Sequence, residues 1–477
     1  METLYYILNL LMQFFEYGVF FYAVFIMSSY IIIAFVSAKI VKEYKKQQEV
    51  TDYEELLTSP MLPSVAIIAP AYNEAMTIVD NIRSLLSLHY SNLRVIVVND
   101  GSKDDTVQKA IDAYDLYKID YFYNERIPTQ KVRGIYKSKN PAFSKLIFVD
   151  KENGRKADAI NAGMNVADSE YFACIDVDCI IEPDAFLKMI RPIMQAGDKK
   201  MVAVGGIVWL VNDALIKKGT LIQVKAPESF IARVQVIEYF RAFLLGRTAW
   251  SAINGLLLIS GAFGLFHRNT AIAAGGYKHD TVGEDMELVM RMHVYMRDRK
   301  EKYQVGYIPE PLCWTEAPDN YKILGSQRHR WTRGTIECLS IYRKMFFNPK
   351  YGVLGMLSYP YWLFAEWMAP FIEAGGILFF ILVALLGLVN WPFFFALLLL
   401  VYTFSTFFSI FAIYTQEKSY YKYREVKDIL MLTLTAMAEP IIYHPRVTYW
   451  ALKGNFDLWR NKNVGWGNMT RTGFKKK

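Results

Sequence analysis

The chain has 477 residues, more than one compact domain usually needs; 53% are hydrophobic and the mean hydropathy is +0.13. That balance is high for a soluble enzyme and low for a protein made only of membrane spans, so a soluble domain joined to a few transmembrane helices is expected. The formal charge of +8 sits largely beside apolar segments, at Lys39, Lys42, Lys45 and Lys46 and at Lys475–Lys477, which speaks for a lipid bilayer and against a nucleic-acid face.

Residues 1–16 are apolar but broken by Gln13 and Glu16, which fits an interfacial helix or a fraying extension. Tyr17–Ile40 is long enough to cross a bilayer, for which about 20 residues suffice. A cleaved signal peptide would carry its basic residues before the apolar run, whereas here they follow it. The N-terminal transmembrane region is therefore placed at 1–40, running from outside to inside, with a charged cytosolic linker at 41–62.

A cytosolic α/β domain is expected over 63–345. Its first strand, Val65–Pro70, runs into Ala71-Tyr72-Asn73-Glu74, and Ile78, Ile82, Leu85 and Leu86 then mark one face of a helix. Leu93–Val98 is apolar apart from Arg94, as a parallel strand buried on both faces should be, and leads through Asn99-Asp100-Gly101-Ser102 to another helix. Strand, short polar loop and helix, repeated, is the grammar of a mixed, mostly parallel sheet. A third strand is expected near Ile119–Tyr123, and residues 124–142 read as a long surface loop. Leu146–Asp150 reads as a strand, and Gly154-Arg155-Lys156-Ala157-Asp158 opens a helix.

Tyr171–Ile175 is an apolar run that ends on Asp176-Val177-Asp178. Two carboxylates one residue apart, at the end of a strand, suit Mg2+ or Mn2+ with substrate phosphate completing the shell; the competing reading is a turn, where Asp is common. Beyond it, Met201–Trp209 is strand-like and Glu228–Arg247 helical. Ser260-Gly261-Ala262-Phe263-Gly264 is a run of small residues where something must approach the backbone closely. Gly283-Glu284-Asp285 precedes a helix, residues 305–317 look irregular because of Pro309 and Pro311, and Ser326–Gly334 reads S-Q-R-H-R-W-T-R-G.

From residue 346 to 452 the chain reads as an interfacial helix near 354–368, spans near 370–389 and 391–413, and a re-entrant or interfacial pair of half-helices at 428–452. Residues 453–477 form a basic tail placed in the cytosol. The four cysteines show no metal-ligand spacing and read as reduced thiols.

Taken singly, each polar cluster has a plain structural reading: Asp100 a helix cap, Lys156 a solvated charge, Glu284 and Asp285 first-turn acids, Q-R-H-R-W a basic helix face beside a membrane. Their joint order resembles the family 2 glycosyltransferases, specifically the membrane-embedded processive branch of cellulose, hyaluronan and poly-N-acetylglucosamine synthases. Four motifs carry the resemblance, N-D-G-S, D-V-D, G-E-D and Q-R-H-R-W, over about Pro63–Gly334. It implies a nucleotide-sugar-binding domain of the GT-A type on the cytosolic face of the cell membrane.

Position by position, the resemblance implies that Tyr72, Glu74 and Asp100 contact uracil and ribose and that Lys156 steadies the nucleotide. It makes Asp176 and Asp178 the metal ligands and Asp285 the general base, with Glu284 beside it. Gln327, Arg328, Arg330 and Trp331 would face the acceptor and the leaving diphosphate. Gly283 stands where the motif usually has Thr.

The expected reaction is an inverting, metal-dependent transfer from a UDP-sugar to a growing polysaccharide, which leaves through the membrane helices. Transfer of one sugar to a lipid-linked acceptor is the alternative, and a non-catalytic nucleotide-binding or transport module a third. The sequence names neither the sugar nor any partner that carries a polymer onward.

Overall fold

The computed structural model describes residues 2–176, 179–217 and 220–460; Asp178, and the basic tail beyond Arg460, lie outside the described residues. In chain order the strands are β1 (Val65–Ala71), β2 (Leu93–Asp100), β3 (Leu116–Ile119), β4 (Val132–Ser138), β5 (Leu146–Lys151), β6 (Tyr171–Ile175), β7 (Ile180–Ile181), β8 (Lys200–Leu210), β9 (Leu215–Lys217), β10 (Thr220–Gln223), β11 (Phe263–His267) and β12 (Tyr303–Thr315). Ten of them form one sheet in the order β3-β4-β5-β2-β1-β6-β11-β8-β12-β7, while β9 and β10 make a separate hairpin. Within the large sheet β4, β7 and β11 run against the other seven, so the α/β class with a mixed, mostly parallel sheet holds.

The central strands follow from their composition. Val65, Ala66, Ile67 and Ile68 of β1 have no exposed surface, nor do Val95, Ile96 and Val98 of β2. Strands covered on both faces need such unbroken apolar runs. Of the helix face read before Ile78–Leu86, Ile78, Ile82 and Leu85 are buried. β5, β2, β1 and β6 are mutually parallel, with Ala71 level with Asn99, Asn99 level with Asp150, and Ile68 level with Cys174. Their carboxyl ends therefore open on one edge, where ligands bind in open α/β sheets.

Several segments depart from the sequence reading: the third strand, expected near Ile119–Tyr123, is Leu116–Ile119, and the helix and span expected near 354–368 and 370–389 run together over Leu354–Leu385. Residues 124–142 are not all loop: β4 pairs antiparallel with both β3 and β5. Residues 305–317 are not irregular: they supply most of β12, which pairs in parallel with β8 and shifts register between Ile308 and Pro311 and again between Pro311 and Cys313. Bulges there accommodate prolines that an unbroken ladder would reject. The first helix does not end near residue 40 but runs from Glu2 to Val50.

That first helix stays ordered past its apolar part because it has partners. The Tyr44 hydroxyl donates to Glu310 at 2.8 Å, and Arg191 donates to Gln47 at 2.6 Å with its guanidinium over the Tyr44 ring. Asp52 then caps the short helix Tyr53–Thr58. Met12–Val50, Leu354–Leu385 and Trp391–Tyr420 are long and apolar enough to cross a membrane, which makes this a membrane protein by composition and length. Residues 428–452 fall in two helices, Val426–Ile442 and His444–Trp459, that meet at a fully buried Tyr443.

Candidate active site

The loops after β1 and β2 are locked together. Asn73 adopts a left-handed φ of 56°, tolerable for Asn, which presents its backbone N–H to the Ser102 hydroxyl at 2.9 Å. The Asn73 side chain accepts from Lys103 N at 2.8 Å, and Glu74 N donates to the Thr106 hydroxyl at 2.8 Å. Tyr72 is about half exposed, and the Glu74 carboxylate takes the Thr77 hydroxyl at 2.7 Å. Tyr72, Glu74 and Asp100 thus share one edge.

Asp100 is buried and surrounded by donors. Its Oδ1 accepts from Lys151 Nζ at 2.7 Å and Gly154 N at 2.9 Å, and its Oδ2 accepts from Asn153 Nδ2 at 3.1 Å. Gly101, at φ +68°, lets the chain turn where an added Cβ would stand 2.7 Å from Asn153 N. This fixes the segment that leads into the helix Arg155–Val166 and so delivers Lys156, two residues on, to the same edge.

Gly261 joins the remaining charged groups of the edge. Lys156 Nζ lies 2.5 Å from Asp176 Oδ1 and 3.5 Å from the Gly261 carbonyl, while Gly261 N–H donates to Asp285 Oδ2 at 3.2 Å. Antiparallel pairing of β11 with β6, Phe263 against Ile175, brings this glycine to the end of the strand that carries Asp176. Asp176, Lys156 and Asp285, distant in sequence, therefore meet around one residue. The close approach that the small-residue run called for is at Gly264, where an added Cβ would stand 2.6 Å from Ile259 Cγ2; at Gly261 the Asp285 side chain packs at ordinary contact distance.

Asp285 also accepts from Met286 N at 2.8 Å, at the start of the helix Glu284–Asp298, whose N-terminal dipole favours an anion. Glu284 beside it is buried, and that burial, with Asp285 adding to it, pushes its carboxyl up to about 7; Lys156 and Arg330 pull the other way. For Lys156, burial works against the charge, but Asp176 outweighs it and holds the ammonium above the usual lysine range.

The helix Tyr321–Ile341 docks on this corner. Glu337 accepts from the Thr281 hydroxyl at 2.9 Å and from Val282 N at 3.1 Å, and the two backbones touch at Gly283 and Gly334, where a Cβ on Gly283 would be 2.9 Å from Gly334 Cα. Gly283 replaces the motif's Thr because there is no room for a side chain. Arg330 lies close enough to Glu284 to act on its charge. Trp331 is 41% exposed, open to a partner, with the Arg328 guanidinium 4.4 Å over its ring.

Arg328 itself turns aside: it pairs with Glu238 at 2.5 Å, and the Tyr443 hydroxyl shares that carboxylate at 3.3 Å. Gln327, Arg330 and Trp331 are three and four residues apart and share a helix face; Arg328, about 100° round from Gln327 but three residues before Trp331, reaches both that ring and Glu238. Gln327 Oε1 is buried without a hydrogen-bond partner among the described residues. Two buried charged side chains of this corner escaped the sequence reading, Lys151 and Asp158, which pair at 2.5 Å. A lysine ending a buried strand is the one signal that would have found them.

Among the described residues no group of three or more His, Cys, Asp or Glu is arranged to hold a metal ion. The donor chemistry at Asp176 nevertheless fits a hard dication, since two carboxylates in D-x-D leave its other positions to phosphate and water oxygens.

A family model described as glycosyltransferase like family 2 matches residues 63–334, and one described as chitin synthase matches residues 281–473. The poly-beta-1,6-N-acetyl-D-glucosamine synthase of Staphylococcus aureus (strain COL) is 30% identical over 284 residues, 58% of this chain and 56% of that protein. A protein of the same name from Staphylococcus epidermidis is 29% identical over 276 residues, 58% of this chain and 55% of its own length. The chain thus spans about half the length of the curated relatives it matches. Among solved structures, a mannosyltransferase from Pyrobaculum calidifontis in complex with GDP-Man and Mn2+ is 15% identical with a TM-score of 0.49, over 92% of this chain and 99% of that one.

Proposed function

Since this chain belongs to the glycosyltransferase-like family 2, we propose that it transfers a sugar, with inversion, from a UDP-sugar to the growing end of a polysaccharide at the cytosolic face of a membrane. The observation that carries the reading is the meeting of Asp176, Lys156 and Asp285 around Gly261, with Arg330 and Trp331 on the adjoining helix. Polysaccharide as the acceptor is supported by the resemblance to the staphylococcal synthases.

In this reading the acceptor hydroxyl attacks the anomeric carbon from the side opposite the diphosphate. Asp285 takes its proton, the new C–O bond forms, and the bond to UDP breaks with the electron pair leaving on the phosphate oxygen. One base acting in line inverts the centre, giving a β-linkage from an α-linked donor. The Gly261 and Met286 N–H groups hold the Asp285 carboxylate aimed. Lys156 and Arg330 meet the charge that grows on the departing UDP. Trp331 offers an indole face for the acceptor ring, Gln327 stands on the same helix face, Arg328 backs the indole from its pairing with Glu238, and Tyr72, Glu74 and Asp100 hold the nucleoside. Asp176 and Asp178 would hold Mg2+ or Mn2+, which supplies Lewis-acid stabilisation of the diphosphate when bound.

The proposed domain division is a transmembrane region, a linker, a catalytic domain over 63–345, a membrane-associated region over 346–452 and a basic tail. Exit through the helices is supported by polar groups set among apolar ones. Arg241 pairs with Glu439 at 3.0 Å and donates to Ser409 at 2.9 Å, and Glu373 takes His444 at 3.1 Å and the Thr448 hydroxyl at 2.6 Å. Of these, Glu373 lies in one of the helices long and apolar enough to cross a membrane, and ionisable groups within such spans mark transport paths in membrane proteins.

Membranes carrying the Asp285→Asn variant, incubated with labelled UDP-sugars, should lose transfer by about 10²-fold or more while still binding UDP. Transfer retained by that variant refutes the base assignment. Polymer from the unsubstituted chain supports the processive reading, and a single adduct replaces it with the lipid-linked one.

A further inference from the structure

Lys151 has no exposed surface, so it cannot touch a substrate, yet its ammonium joins two buried carboxylates: Asp100 at 2.7 Å and Asp158 at 2.5 Å. We propose that Lys151 is a positioning residue that aims the nucleobase-facing carboxylate of Asp100 and thereby sets the preference for a uridine donor. This rests on reading the site as one for a UDP-sugar.

Lone pairs decide the matter. A carboxylate offers about four acceptor positions and no donor. Lys151 and Gly154 N occupy Oδ1 of Asp100, and Asn153 occupies one position on Oδ2, which leaves a single acceptor direction on Oδ2. Uracil presents an N3–H donor to such an acceptor, whereas cytosine presents a lone pair at the same atom, and two acceptors repel. The selection therefore depends on Oδ1 being held and Oδ2 being left.

Removing the ammonium leaves Asp100 without its buried counter-charge and within reach of a second carboxylate. Asp158 is itself fixed, accepting from Gln130 N at 3.2 Å and packed against Gly154, where a Cβ would stand 2.5 Å from Asp158 Cγ. Like charges so placed drive one carboxyl to take a proton or to turn away. Either response gives Asp100 a donor or a new direction, and both erode the distinction between the two pyrimidines.

The test uses the full chain in nanodiscs, with UDP and CDP as the probes in equilibrium binding, and the melting temperature measured beside each. The unsubstituted protein should prefer UDP by about 10²-fold, the scale of an unpaired polar group in a buried site. Lys151→Met should weaken UDP binding by about tenfold or more and bring the UDP:CDP ratio to within about tenfold, while Lys151→Arg keeps most of the preference. The double variant Lys151→Met/Asp158→Asn removes the like-charge contact and should regain melting temperature without regaining the preference. A double variant that melts normally and still prefers UDP as the unsubstituted chain does overturns the proposal, as does equal loss of both nucleotides. An unsubstituted chain with no preference for UDP overturns the uridine reading itself.

Discussion

Glu284 is the acid in the site whose protonation state is in play at neutral pH. Its carboxyl, raised by burial to about 7 from a value of 4.5, is neutral in the folded protein at pH 5 and ionised above 7. The folded state therefore binds the extra proton between those limits, so this residue's contribution is full below about pH 4.5 and is lost as the pH climbs through 7. Glu284→Gln mimics the protonated form, and the melting temperature of the variant relative to the unsubstituted chain should rise between pH 5 and pH 8, by roughly 1–3 kcal/mol of stability. A pH-independent difference, measured in metal-free buffer, would contradict the assignment. None of this was legible in G-E-D as letters. The motif marked the acids; only the burial of Glu284 beside Asp285 tells which carboxyl is raised.

Among the packed elements, the crossing of the Tyr321–Ile341 helix over the start of the Glu284–Asp298 helix sets the distance between Trp331 and Asp285, the proposed acceptor face and base. Gly334→Ala adds a methyl 2.9 Å from Gly283 Cα, and backbone on the far side cannot yield as a flexible side chain would. The expected result is a loss of about 1–3 kcal/mol of stability and a fall in kcat with a smaller change in donor KM. An unchanged melting temperature with unchanged kcat would show that the two backbones part freely. The same crossing shows why legibility was uneven. β1, β2 and β6 were plain because strands buried on both faces are apolar throughout. β12 was hidden because Pro309 and Pro311 argue against a strand until its bulges are seen, and β4 because Gly134, Lys137 and Arg133 give a strand one place in from the sheet edge the polarity of a loop. Arg328 belongs to a legible motif, but its helical phase sends it to Glu238, and phase becomes decisive only once the neighbouring helix is in place.

The N-terminal helix is bound to the catalytic domain through Glu310, which links the two ends of the protein's architecture. That carboxylate receives Tyr44 and Lys188, the latter at 2.5 Å, so it ties the helix to both the β12 strand and the segment Ala185–Met194. Glu310→Ala should free the inner end of the helix: limited proteolysis within residues 51–62 should speed several-fold, with a loss of about 1–3 kcal/mol, while the sheet remains folded by circular dichroism. Cleavage at an unchanged rate would mean that the tie carries no load. A continuous rod of 49 residues is ~74 Å long, against ~30 Å of hydrocarbon to cross. Clamped at its far end, such a rod acts as a ruler between the lipid and the reacting groups. In the proposed elongation the reacting edge would keep a constant height above the acyl chains from one addition to the next, so each step forward would be made by the product sliding, and bilayer thickness would become a variable to which turnover responds.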